Sequence, residues 1–140
     1  MRLLLIGKNG QLGFELRRAL APLGEVFGVD FPECDLAQPA SIQAIVAQVN
    51  PHVIVNAAAY TAVDKAESEP ALARAINAAA PGLLGEAARR IGARVIHYST
   101  DYVYDGAKRT PYREDDATGP LGVYGLTKRD GDAALAASGA

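Results

Sequence analysis

A continuous apolar run, Leu3-Leu4-Leu5-Ile6, stops at Gly7, and glycine returns at Gly10 and Gly13. Few local patterns restrict a fold as much. An apolar run with no polar alternation suits a strand buried on both faces, as in a parallel sheet. The glycine spacing that follows suits a tight turn into a helix. Leu12, Leu16, Ala19, Leu20 and Leu23 then recur at helical spacing up to Gly24. Strand, turn and helix make the first unit of a βαβ fold.

The same alternation continues along the chain. Val26–Val29 reads as a second strand ending at Asp30. Ile42, Ile45, Val46 and Val49 predict a helix that Asn50-Pro51 ends, because a residue before proline is pushed out of the α region. Val53–Val55 is a third strand. A helical stretch from about Pro70 to Ile91 is expected to break at Pro81. Val95–Tyr98 is a fourth strand, residues 101–123 have no clear period, and a last helix starts near Tyr124. Alternating strands and helices with short connections predict an α/β, doubly wound, Rossmann-like parallel sheet flanked by helices. No strand follows the last helix. Residues 1–140 are therefore expected to be a dinucleotide-binding domain, the N-terminal portion of a longer protein, truncated before the last strands and a substrate domain.

Composition narrows the function classes. With 14 Lys+Arg against 16 Asp+Glu the net charge is −2, which disfavours a basic nucleic-acid module. Hydrophobic residues at 49% and charged residues at 21% describe a globular chain. The N-terminal apolar run is too short for a signal segment or a membrane span. Cys34 is the single cysteine, which leaves no intrachain disulfide or cysteine-based zinc site. A reducing, cytoplasmic setting is expected.

The glycine turn carries the first candidate site. Gly7 permits the turn, Gly10 allows close approach of a pyrophosphate, and Gly13 allows tight packing of helix on strand. A helix N-terminus presents free N–H groups to phosphates. Three glycines alone also fit an ordinary βα turn. The acid that follows favours the dinucleotide reading: Asp30 ends strand two, 20 residues after Gly10, where a carboxylate meets a ribose hydroxyl. Asp35 and Leu36 suit an adenine edge and ring, or equally a loop cap. Ala57, Ala58 and Ala59 close strand three, where ligands of open α/β sheets lie; small residues packing under a helix explain them as well.

The second candidate site lies later. Tyr124 and Lys128 are four residues apart and share a face if helical. An ammonium near a phenol favours the phenolate, and such a tyrosine can trade a proton with a carbonyl or alcohol oxygen. A surface lysine beside a packed tyrosine explains the pair equally. Ser99-Thr100-Asp101 leaves strand four, where a hydroxyl can reach the same oxygen or simply form a turn. The remaining polar residues read blandly: His52 at the surface, His97 as a satisfied core histidine, Glu114-Asp115-Asp116 as a solvated loop.

In that order, Gly-x-x-Gly-x-x-Gly, Asn-Ala-Ala, Ser-Thr-Asp and Tyr-x-x-x-Lys resemble the extended short-chain dehydrogenase/reductase family. The longer words GKNGQLGFEL, VIVNAAAYTAVDKAESEP, VIHYSTDYVYDG and PLGVYGLTK are similar to its dTDP-4-dehydrorhamnose reductases, across essentially all 140 residues. The family's chains are longer, and their second half supplies most of the sugar-nucleotide pocket. The resemblance implies transfer of a hydride from NADPH or NADH to the 4-keto group of dTDP-4-dehydro-L-rhamnose. Tyr124 would protonate the new alkoxide, Lys128 would hold the nicotinamide ribose, and Thr100 would hydrogen-bond the keto oxygen. Gln11 and Leu12 join the glycines at the cofactor; Thr61, Val63, Asp64 and Tyr102 fall near the sugar. Asn77 falls at a proton-relay position of related reductases, or is a plain helix-break residue. Glu15 matches an acid of a magnesium site through which the family pairs its subunits, with the other ligands beyond residue 140, or is a plain solvated helix acid; the resemblance implies a homo-oligomer. Two other readings keep the fold: an NAD-retaining nucleotide-sugar epimerase or dehydratase, and a non-catalytic regulatory subunit that binds the cofactor. Retention of Tyr124 and Lys128 weighs against the second.

Overall fold

The computed structural model describes all 140 residues. Four strands form one parallel sheet: β1 (Arg2–Ile6), β2 (Glu25–Val29), β3 (Val53–Asn56) and β4 (Arg94–His97), in the spatial order β2-β1-β3-β4. Leu3 pairs with Val26 on one side and Val53 on the other, and Val53 pairs in turn with Arg94. The chain reverses its direction of winding between β2 and β3. The switch point lies between β1 and β3, where open α/β sheets bind ligands.

Helix α1 (Gln11–Leu20) follows the glycine turn, with Arg17 and Arg18 in its last turn, where cations suit the negative end of the dipole. Helix α2 (Pro39–Val49) starts on proline, whose missing N–H would be unsatisfied there anyway. It ends at Asn50, in the left-handed region at φ 45°, whose N–H returns to the Val46 carbonyl at 2.8 Å. Pro51 accounts for that stop, as the sequence predicts. Two short helices the periodicity does not separate, α3 (Val63–Ala66) and α4 (Pro70–Arg74), lead to α5 (Ala80–Ile91). The last helix is α6 (Val123–Ser138).

Leu3, Leu4, Leu5 and Ile6 are all at most 2% exposed, as a strand covered on both faces requires. Leu4, Ile6 and Ile54 join one core with Ile42 and Val46 of α2 and Leu84 and Ala88 of α5. Successive strand residues face opposite ways, so Leu3 and Leu5 lie on the other face, where α1 packs.

The expected break at Pro81 is absent. Helix continues through it because residues Ala75–Ala79 form a π turn immediately before. Proline in an α-helix collides with the carbonyl four residues back. One extra residue per turn moves that carbonyl aside, and Pro81 becomes an early residue of α5. No helix is long and apolar enough to cross a membrane.

Candidate functional site

Gly7, Gly10, Gln11, Leu12, Asp30, Ala57, Ala58, Ala59 and Thr61 line one crevice at the switch point. The backbone explains why glycine stands at two of the three turn positions. Gly7 has φ 89°, and a Cβ on it would fall 2.7 Å from the Ala58 nitrogen. The ends of β1 and β3 therefore meet with no room for a side chain. A Cβ on Gly13 would fall 1.8 Å from the Gly7 carbonyl oxygen, so α1 presses directly on the turn. Gly10 differs: it is extended, and its Cβ would meet only that same oxygen at 3.5 Å. Space for a branched side chain remains on the crevice side. No side chain caps α1, so its first N–H groups stay available to an anion.

Asp30 closes this crevice. Its Oδ2 accepts the Asn9 N–H at 3.0 Å and its Oδ1 the Phe31 N–H at 2.9 Å. Gly7 and Lys8 donate to the Val29 carbonyl beside it. Sequence reasoning misses Glu33, which accepts the Asp30 N–H and pairs with Lys8. The Lys8 ammonium beside it holds the Glu33 carboxyl below the usual range. Arg18 is likewise paired, with Glu15, on the exposed face of α1. Glu15 thus makes a surface ion pair, and the chain contains no cluster of three metal-ligating side chains.

A smaller hollow opens next to the crevice, lined by Asp30, Phe31, Asp35, Leu36, Ala58 and Ala59 among others. Asp35 has the loop-cap role that the sequence offers, and it also borders the hollow. Its Oδ1 caps its own turn by accepting the Ala37 N–H at 2.9 Å.

The second pocket holds Tyr124 together with Val63, Tyr102, Tyr104, Tyr112 and Leu121. The rings of Tyr102 and Tyr124 meet edge to face at 5.3 Å between centroids. Gly125 allows this, since a Cβ there would fall 2.1 Å from the Tyr102 carbonyl oxygen. The Tyr124 hydroxyl is left without a partner in the chain. Thr100 lies at the head of a single 3₁₀ turn, Asp101–Val103, where its Oγ1 accepts the Tyr102 N–H at 3.3 Å. Asp64 is exposed in the first turn of α3 and lines neither pocket; Thr61 lines the glycine crevice rather than the tyrosine pocket.

Lys128 departs from the expected pairing. Its side chain is buried, and Nζ turns from Tyr124 to the Tyr98 carbonyl at 2.6 Å and His97 Nε2 at 3.1 Å. His97 is the satisfied core histidine expected from the sequence, held from the other side by Asn56 at 3.1 Å. Burial and the neighbouring ammonium push His97 down to about 4. Ser99 does not face the pocket; its hydroxyl donates to Asp132.

Asn77 sits in the π turn, 1% exposed. Its Oδ1 accepts the Tyr60 N–H at 2.8 Å, and its Nδ2 donates to the Tyr60 carbonyl and to Thr127 Oγ1. It ties the loop after β3 to α6. Glu69 accepts from the Tyr60 hydroxyl, which pushes that phenol up to about 12. The acidic loop is less bland than its composition. Asp116 pairs with Lys108 and accepts the Arg113 N–H, while Tyr104 and Tyr112 stack at 4.2 Å.

Comparison with known proteins matches this arrangement from end to end. The family model described as the RmlD substrate binding domain covers residues 1–140. A dTDP-4-dehydrorhamnose reductase of Burkholderia thailandensis is 49% identical over 139 residues, 99% of this chain and 47% of its own. A crystal structure of such a reductase from Clostridium acetobutylicum superposes with TM-score 0.94 at 38% identity, over 98% of this chain and 49% of its own. One from Bacillus anthracis, in complex with NADP, gives 0.91 at 34% identity, over 97% and 49%. The chain spans about half the length of the relatives it matches. It belongs to the RmlD substrate binding domain family.

Proposed function

We propose that this chain is the dinucleotide-binding half of a dTDP-4-dehydrorhamnose reductase, which reduces the 4-keto group of a dTDP-sugar with NADPH or NADH. One observation carries the reading: the glycine crevice and the Tyr124 pocket both open at the carboxyl ends of the parallel strands. The residues present fit a dinucleotide. Space at Gly10 and the uncapped N-terminus of α1 suit a pyrophosphate. Asp30 suits an adenine-side ribose, and the hollow around Leu36 suits a flat base.

When bound, the nicotinamide supplies the hydride that goes to C4 of the sugar. The chain does the rest. Tyr124, with its hydroxyl free in the pocket, gives its proton to O4, so the ketone becomes an alcohol. Thr100 offers a hydrogen bond to the same oxygen. Lys128 would reach the ribose hydroxyls beside Tyr124 by giving up the Tyr98 carbonyl that holds its Nζ in this structure. Val63 and Tyr102 contact the sugar, with Thr61 and Asp64 at its margin. The sugar-diphosphate grip belongs to the other half of the relatives' length, and such remote contacts contribute rate as well as affinity. A homo-oligomer is part of this reading; magnesium at Glu15 would need ligands from outside residues 1–140.

The test has two arms. NADH and NADPH are titrated into the 140-residue chain, where binding without turnover of the dTDP-keto sugar is expected. A chimera with the second half of the Burkholderia thailandensis relative is then assayed by NADH or NADPH oxidation. Tyr124→Phe in that chimera should cut turnover by about 10²–10⁴-fold with cofactor affinity unchanged. Full activity in the variant overturns the role of Tyr124, and failure of the chain to bind either cofactor overturns the crevice.

A further inference from the structure

Tyr124, Lys128 and Asp132 stand four residues apart on α6 and share one face of it. The chain leaving β4 runs along that face. Lys128 Nζ donates to the Tyr98 carbonyl at 2.6 Å and meets His97 Nε2 at 3.1 Å. One turn further, Asp132 Oδ2 accepts the Ser99 hydroxyl, while its Oδ1 stands 3.6 Å from the same His97 Nε2. The edge of the imidazole therefore lies between an ammonium and a carboxylate. The ring gives its Nδ1 proton to the Asn56 backbone carbonyl, which leaves Nε2 bare to accept from Lys128.

Lys128 is 2% exposed, and burial opposes its charge. A buried cation needs an opposite charge close by. Asp132 is the one that acts on it. The other charges on α6 and on the elements packed against it are engaged elsewhere or lie in water. Asp130 pairs with Arg129 and with Arg74 of α4. Glu86 pairs with Arg90 on α5, and Lys65 of α3 pairs with Glu69. Asp64, Arg89 and Asp101 are exposed. The remaining titratable neighbours, His97, Tyr102 and Tyr124, bring no negative charge at neutral pH. We propose that Asp132, aimed by Ser99, is the counter-ion of the buried Lys128 ammonium, with the edge of the His97 ring held between them. Asp132 lines neither the glycine crevice nor the Tyr124 pocket. It is a positioning residue, which acts on the Tyr124 site by keeping Lys128 charged. That consequence rests on the reading of the site given above; the ion pair itself does not.

The test is a pH titration of the lysine Nζ signals by NMR, on the ¹⁵N-labelled 140-residue chain with no ligand added. Lys128 is one of four lysines and is identified by changing Lys8, Lys65 and Lys108 to arginine in turn. An ammonium at Lys128 at neutral pH is expected in the parent, and an amine there overturns the proposal on the unmodified chain alone. Asp132→Asn keeps an oxygen for Ser99 and removes the charge. It should move the Lys128 titration to lower pH, while Asp132→Glu restores it toward the parent. Ser99→Ala keeps the charge and frees the carboxylate to turn away, and should move the titration in the same direction by less. An unmoved Lys128 in folded Asp132→Asn overturns the ion pair; if that variant does not fold, an unmoved Lys128 in Ser99→Ala does so. In the active chimera, Asp132→Asn should bring the alkaline limb of kcat to lower pH together with Nζ. A limb that stays while Nζ moves overturns the link to Tyr124. A chimera with no activity in the parent form counts against the reductase reading, and the Nζ titration still decides the ion pair.

Discussion

Glu67 Oε1 accepts the backbone N–H of Val123 at 2.7 Å, across 56 residues of chain. Helix α6 has no side-chain cap of its own at Gly122, so a carboxylate from the loop after α3 serves its positive end. The next residue of that helix is Tyr124. Glu67→Ala should lower unfolding free energy by about 1 kcal/mol, the usual worth of a cap. Glu67→Gln keeps an acceptor and should lose less. Urea denaturation of the three proteins checks this, and equal midpoints would remove the cap from the account.

The three turn glycines should separate by experiment. Gly10→Val puts its side chain into the open crevice at an extended residue. Unfolding free energy should stay within about 1 kcal/mol of the parent, while nicotinamide-cofactor binding is lost. Gly13→Ala forces a carbon against the Gly7 carbonyl, and should destabilise by about 1–3 kcal/mol or more. Thermal melts and cofactor titrations are read together. A Gly10→Val chain that binds as the parent does would reduce that glycine to a turn residue.

Cofactor choice depends on a local charge balance. Lys8 is neutralised by Glu33 and Arg18 by Glu15, which leaves Asp30 facing a ribose 2′-phosphate without a free cation from either. Like charges about 4 Å apart cost about 1 kcal/mol even in water. Asp30→Ala should therefore shift the NADPH/NADH affinity ratio about fivefold or more toward NADPH. An unchanged ratio in paired titrations would place the ribose elsewhere.

Acid should weaken the fold through His97. Its folded value of about 4 lies below the ordinary 6.5. Between these values the unfolded chain binds the proton that the folded chain refuses. The contribution is complete above pH 6.5 and disappears as pH falls toward 4, and is at most about 3 kcal/mol. Urea midpoints at pH 7 and pH 5 should differ by more in the parent than in His97→Gln. Parallel pH dependence in the two would assign the acid sensitivity to other groups.

How much of this was legible depended on distance along the chain. The glycine turn, Asp30 and the buried strands are written within about 30 residues, where period and spacing speak directly. Tyr124 and Lys128 are likewise visible as a helical pair, but not the turn of Lys128 toward Tyr98, which depends on His97 arriving from β4. Glu67 leaves no signal, because a lone acid in a polar loop looks the same whether or not a distant helix end meets it. Residues 104–116 read as formless because the Tyr104–Tyr112 stack and the Lys108–Asp116 pair obey no period. Pro81 misleads for a different cause: propensity describes a continuous α-helix, and the turn just before Pro81 is π.

That π turn makes the segment a matter of phase. One added residue rotates everything beyond it by about 100° relative to what precedes it. Ala73 before the turn and Leu84 after it are both fully buried, and Asn77 between them reaches Tyr60 and Thr127 together. Removing a single alanine from 75–79 would restore a regular pitch and swing one set of contacts out of alignment with the other. Substitution of an exposed alanine leaves the phase intact. Along this stretch it is the number of residues, more than their identity, that joins the strand end to the helix bearing Tyr124.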